Sequence, residues 1–141
     1  MTELLFLFRV VLAMILGGIL GWQRERRGKW AGLRTYALVS GGSALFTILS
    51  VVSFGSDTAR VAAQIVTGIG FLGAGTILHK ENKVEGLTTA AGLWMVAAVG
   101  MATGLELYIL ASVSSLLALL IFIFDGRKIV FNKDDEKSED D

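Results

Sequence analysis

Two short polar interruptions of an otherwise apolar chain carry groups placed to bind anions rather than to catalyse. The first, Arg24-Glu25-Arg26-Arg27-Gly28-Lys29-Trp30-Ala31-Gly32-Leu33-Arg34-Thr35, is dense in cations and suits anionic headgroups or an acidic protein surface. The second contains Glu81 and Glu85 and runs into Gly86-Leu87-Thr88-Thr89. Arg24, Glu25 and Arg34 are expected to form ion pairs with this second interruption. Thr88 or Thr89 is expected to cap the helix that follows, whose N-terminus would turn free N–H groups towards the same basic face.

A second group of polar residues is predicted at the opposite side. Arg9 lies about two turns inside the first apolar stretch, where a charge is costly unless it pairs or snorkels. Its candidate partners are Glu3, Asp57 and Glu106, with Gln64 close enough to join. Such a cluster reads either as a cation or proton entrance or as an interfacial arginine reaching for headgroups. No carboxylate falls near the middle of an apolar stretch, which argues against a proton-coupled pump or a carboxylate-lined Mg²⁺ pore within one chain.

Other chemistry finds no support. The chain has no Cys and a single His, so neither a thiol centre nor a Cys- or His-based metal site is expected. No nucleophile and base stand together, and neither a catalytic role, a cofactor nor a nucleic-acid partner is expected. Gly68-Ile69-Gly70-Phe71-Leu72-Gly73 matches G-x-G-x-x-G literally, but no strand precedes it and both flanks are apolar, so the dinucleotide reading fails on context. With Gly75 the run holds four glycines in eight residues, and each costs a helix roughly 1 kcal/mol against Ala. The run predicts either tight packing against another helix or a distorted helix near a pathway.

The elements that must position these groups follow from hydropathy. A membrane-crossing helix needs roughly 20 apolar residues at about 1.5 Å of rise each. Five stretches qualify: Leu4–Gly21, Tyr36–Phe54, Val61–Leu78, Leu87–Gly104 and Leu105–Phe124. The last two would make one helix of roughly 57 Å if continuous, so a tight turn is expected at Gly104-Leu105-Glu106. Hydrophobic residues make up 53% of the chain and mean hydropathy is +0.63, in keeping with a membrane protein. The first stretch resembles a secretory signal, but no Lys or Arg precedes its apolar region and a basic cluster follows, so it is expected to remain as an anchor.

Positive charge sets the orientation. Of the 13 Lys and Arg, only Arg60 and Arg9 lie away from one face, so the N-terminus is expected outside and the C-terminus in the cytoplasm. The expected fold is therefore an all-α membrane protein, five transmembrane helices over residues 1–124, with a charged, disordered cytoplasmic tail over 125–141. The loops are too short for a soluble domain. Small residues recur at spacing four, as Ala13, Gly17 and Gly21, as Gly70 and Ala74, and as Gly100 and Gly104, predicting a glycine-ridged bundle or an oligomer seam. The fifth stretch has no Gly between Leu105 and Phe124; it is expected at the periphery with Ala111, Ser112, Ser114, Ser115 and Ala118 inward.

Four blocks carry a resemblance. Gly21-Trp22-Gln23-Arg24-Glu25-Arg26, Ala31-Gly32-Leu33-Arg34-Thr35, Gly68 to Gly75, and Gly86-Leu87-Thr88-Thr89-Ala90-Ala91 with Trp94 resemble, in order, the signature of the MgtC/SapB family of bacterial inner-membrane proteins. The resemblance implies a multi-pass plasma-membrane protein of about five spans, associated in some members with growth at low Mg²⁺, survival inside host cells and inhibition of the proton-translocating ATP synthase. The chain resembles the shorter SapB-like form that lacks a soluble C-terminal domain. Two functions are consistent with it. One is a regulator that docks on another membrane complex such as ATP synthase; the other is an oligomeric transporter or channel subunit for Mg²⁺ or another small ion, with its pathway near the glycine-rich third stretch.

Overall fold

A computed structural model describes residues 2–53, 57–80 and 83–124. Five helices dominate: α1 Thr2–Arg26, α2 Leu33–Ser53, α3 Thr58–Ala74, α4 Leu87–Gly104 and α5 Tyr108–Ile123. Three of them, α1, α2 and α4, are long and apolar enough to cross a membrane, and α3 and α5 are shorter apolar helices. The proposed tail at 125–141 lies outside the described residues.

The helices alternate in direction. Gly17 and Gly21 of α1 meet Ser40, Tyr36 and Gly32, so α2 returns along α1. Gly92, Gly100 and Gly104 of α4 meet Tyr36, Ser40 and Ala44 in that order, so α4 runs parallel to α2. Between them α3 starts beside the end of α2, where Ser50 Oγ donates to Thr58 O at 3.3 Å, and finishes beside the start of α4, with Gly73 against Ala90. It spans the bundle from one end to the other. Helix α5 closes on α1, with Phe8 against Tyr108 at one end and Gln23 bonded to Phe122 at the other.

Close backbone approach holds α1, α2 and α4 together, as expected where lipid removes the hydrophobic drive between helices. A Cβ on Gly17 would lie 2.6 Å from Tyr36 O, one on Gly21 2.6 Å from Gly32 O, and one on Gly104 2.8 Å from Ala44 O. Tyr36, Leu20, Leu93 and Val96 are essentially sealed at the centre, and large apolar side chains such as Phe8, Phe46, Phe71 and Ile109 stand exposed around the outside. On α5, Ala111, Ser115 and Ala118 are buried as the small-residue stripe predicts, although Ser112 is exposed.

Three expectations need correction. The chain is not wholly α: Leu78–Lys80 and Lys83–Glu85 form a short antiparallel hairpin, β1 and β2, pairing Leu78 with Glu85 and His79 with Val84. The third apolar stretch therefore ends early, since Thr76 N and Thr76 Oγ1 both donate to Gly73 O and close a turn that sends Leu78 into the hairpin. Nor is the glycine run a break, because α3 continues through it to Ala74. Among the described residues only Gly73 of this run packs on another helix, where a Cβ would lie 3.6 Å from Ala90; a Cβ on Gly68 or Gly70 would meet open space, and one on Gly75 would meet carbonyls of its own last turn.

The turns carry the expected special backbone. Helix α1 ends in a left-handed C-cap, with Gly28 at φ 65° and Lys29 N donating to Arg24 O at 3.1 Å. The turn at Gly104-Leu105-Glu106 forms as predicted, but its left-handed residue is Glu106, at φ 67°, where glycine would be strain-free. Leu107 N donates to Ala102 O at 2.9 Å and Glu106 N to Thr103 O at 3.1 Å, the same C-cap pattern.

Candidate functional site

The end of the bundle shared by the α1–α2 loop, the hairpin and the start of α4 holds a buried polar cluster. Arg24, in the last turn of α1, is only 5% exposed. Its Nη2 donates to Thr89 Oγ1 at 3.1 Å and its guanidinium lies 4.6 Å from the centre of the Phe122 ring. Tyr36, on α2, donates its hydroxyl to Thr89 O at 3.3 Å and meets the Phe122 ring edge-on. Gln23 Nε2 donates to Phe122 O at 2.9 Å, and Arg27 Nη2 to Ile123 O at 3.4 Å. Four helices are thereby tied at one end.

Above this cluster lies a cavity of about 600 Å³ walled by Arg24, Lys29, Lys83, Glu85 and the first residues of α4. The fourth helix starts differently from expectation. Gly86 occupies its N-cap with φ 93° and no side chain caps it; Thr88 and Thr89 lie inside the first turn. Glycine is required there twice over, by the positive φ and because a Cβ would collide with the Thr76 carbonyl. Glu85 pairs with Lys83 at 3.2 Å.

The proposed ion pairs between the two interruptions are also corrected. Glu25 turns back on its own loop, its Oε2 accepting from Leu33 N at 2.9 Å, and so serves the N-terminus of α2. Arg24 meets a hydroxyl and a ring, not a carboxylate. Arg34 and Thr35 are exposed, and Arg34 forms no ion pair with a described residue. Arg26 is exposed and stacks over Trp22 at 3.8 Å. Glu81 lies outside the described residues. Trp94 faces outward, half exposed.

At the opposite end the predicted cluster divides. Arg9, largely buried, pairs with Glu106, and its Nη1 also reaches Gly104 O at 3.4 Å. Asp57 pairs instead with Arg60 at 2.6 Å. Gln64 lines a groove of about 730 Å³ between α2 and α3 with Gly42, Gly68 and Arg60, away from Arg9. Among the described residues no three His, Asp or Glu side chains gather as a metal site would require.

Sequence reasoning missed Tyr36, Gln23 and Phe122. Each sits at a span end where aromatic and amide residues are ordinary, so nothing in spacing marked them. The adjacency of Gln23 and Arg24 to the first apolar stretch was the available signal, since a polar pair there must find partners.

Apolar helices that alternate in direction, glycine contacts between them and a basic end define a helical membrane protein. The chain belongs to the MgtC family, whose family model matches residues 10–128. It is 46% identical over 125 residues to "Putative magnesium transporter YhiD" of Escherichia coli K12, an alignment covering 82% of this chain and 58% of that protein. It is 46% identical over 100 residues to "Protein MgtC" of Salmonella typhimurium, covering 71% and 43% of the two chains. "Protein MgtC" of Brucella abortus is 48% identical over 110 residues, covering 77% and 46%. The chain thus spans about half the length of the curated relatives it matches. No solved structure matches it significantly.

Proposed function

We propose that the chain is a multi-pass protein of the bacterial inner membrane, crossing five times with its N-terminus outside, that regulates another membrane complex by docking through its basic cytoplasmic end. ATP synthase is the candidate target, and adaptation to low Mg²⁺ or stress the setting. The parallel course of α2 and α4 supports five crossings, because α3 must return through the full height between them. The observation that carries the docking reading is the division of labour at the basic end. Arg24 is locked inside, while Arg26 at the end of α1 and Arg34 at the start of α2 are presented outward on either side of a loop fixed by the Glu25 contact to α2. Association between copies of the chain is part of the proposal, with the open glycines Gly68 and Gly70 of α3 as the contact.

A second reading is Mg²⁺ transport, favoured by the name of the Escherichia coli relative. It requires several copies, since the described carboxylates Glu3, Glu25, Asp57, Glu85 and Glu106 all lie at helix ends, in turns or in the hairpin. Inverted membrane vesicles separate the two. A pH gradient is formed with ATP in one run and by respiration in the other, with and without the chain. Docking on ATP synthase predicts a loss confined to the ATP-driven gradient. Loss in both runs means an ion leak and favours transport; no change in either refutes the ATP synthase target.

A further inference from the structure

Among the described residues Arg24 is a buried cation without a counter-charge. A guanidinium keeps its proton in proteins, so burial cannot neutralise it. Among the described residues no carboxylate reaches it: Glu25 is committed to Leu33 N, and Glu85 to Lys83. Among the described residues its Nε has no hydrogen-bond acceptor, and the partners of the guanidinium, the Thr89 and Tyr36 hydroxyls, are neutral. Leaving a buried charge with neutral partners alone is strongly unfavourable, and an anion in the adjoining cavity would remove that penalty.

A second donor set faces the same cavity. The N-terminus of α4 has no side-chain cap, and its first intrahelical bond is Ala90 N to Gly86 O, which leaves the N–H groups of Leu87, Thr88 and Thr89 outside the helical ladder. These N–H groups and the positive end of the helix dipole suit an oxyanion. Lys29 and Lys83 stand at the rim, and among the described residues Glu85 is the one carboxylate in the wall. The cavity is far larger than a free oxyanion, and Val84, Ile121 and Phe124 give it an apolar side.

We propose that this cavity binds a phosphate group, free or carried on an organic body, with Arg24 and the α4 N-terminus as its donors. The site stands independently of the docking and transport readings. A lipid headgroup and a soluble phosphate offer the same chemistry, so the test has two arms. In phosphatidylcholine nanodiscs, inorganic phosphate is titrated by calorimetry against a chloride background. In parallel, the protein is extracted from nanodiscs containing phosphatidylglycerol and retained lipid is counted by native mass spectrometry.

Saturable phosphate binding in the first arm supports a soluble ligand; selective retention of phosphatidylglycerol in the second supports a headgroup. Either must weaken at least about tenfold in Arg24→Gln, which removes the charge-assisted donors. It must weaken about fivefold in Lys83→Glu, at the exposed rim. Arg60→Gln, at the far end of the bundle, must leave it unchanged. Should Arg24→Gln fail to fold, Lys83→Glu decides, and unaltered binding in it overturns the site. Absence of both phosphate binding and selective lipid retention also overturns it.

Discussion

Replacing Gly17 and Gly70 by alanine in turn separates glycines that join helices from glycines that do not. At Gly17 the added Cβ would lie 2.6 Å from both Tyr36 O and Ser40 Cβ. Ordinary contact needs about 3.5 Å, so α1 and α2 must part by about 0.9 Å or bend. Overpacking of this kind costs about 1–3 kcal/mol, and a clash with backbone belongs at the upper end. Alanine gains up to about 1 kcal/mol of helix propensity, which leaves Gly17→Ala destabilised by about 2 kcal/mol. At Gly70 nothing meets the Cβ, so only the gain of about 1 kcal/mol remains. Reversible unfolding in mixed micelles of rising SDS fraction, followed by fluorescence of the three Trp, reads the two variants against the parent. They are expected to shift in opposite directions, about 3 kcal/mol apart. Equal shifts of one sign would refute the assignment of Gly17 to a helix contact and Gly70 to a free face.

Three further outcomes are expected. Glu106→Ala loses the Arg9 ion pair but keeps the strained backbone, whereas Glu106→Gly loses both, so the glycine variant should be the more stable of the two by about 1 kcal/mol in the same unfolding assay. Glu25→Ala removes the contact to Leu33 N and should destabilise by about 1 kcal/mol, while exposed Arg34→Ala leaves stability unchanged and, if the loop docks, lowers activity in the vesicle assay. Because the chain has no Cys, single cysteines at Asp57, His79 and Glu106 report topology by labelling with a membrane-impermeant maleimide on intact cells. Labelling is expected at Asp57 and Glu106 and not at His79, and the reverse pattern would invert the orientation.

The apolar stretches, the turn at Glu106 and the ridges on α1 and α4 were legible because each depends on residues close in sequence. Spacing four puts Gly17 and Gly21 on one face whatever they touch. The same spacing on α3 misled, since Gly70 and Ala74 also share a face but none of the described helices covers it. The hairpin was illegible because strands of three residues, LHK and KVE, carry no usable alternation. The buried cluster was hidden for another reason. Arg24 and Thr89 are 65 residues apart, and Gln23 and Phe122 are 99 apart, so their pairing exists only once five helices have docked. Glu25 looked like a partner for the far loop, yet a contact eight residues away satisfied it first.

That same long reach bears on how the protein is made. The chain emerges from the ribosome N-terminus first, and α1 and α2 can pair through Gly17 and Gly21 as soon as both are synthesised. Arg24 then waits. Its hydroxyl partner arrives with α4 and the ring beneath it only with the last turn of α5. Until α5 has been synthesised, this arginine must stay at the wet edge of the bilayer, and its withdrawal into the bundle marks the moment at which the last of the five helices docks.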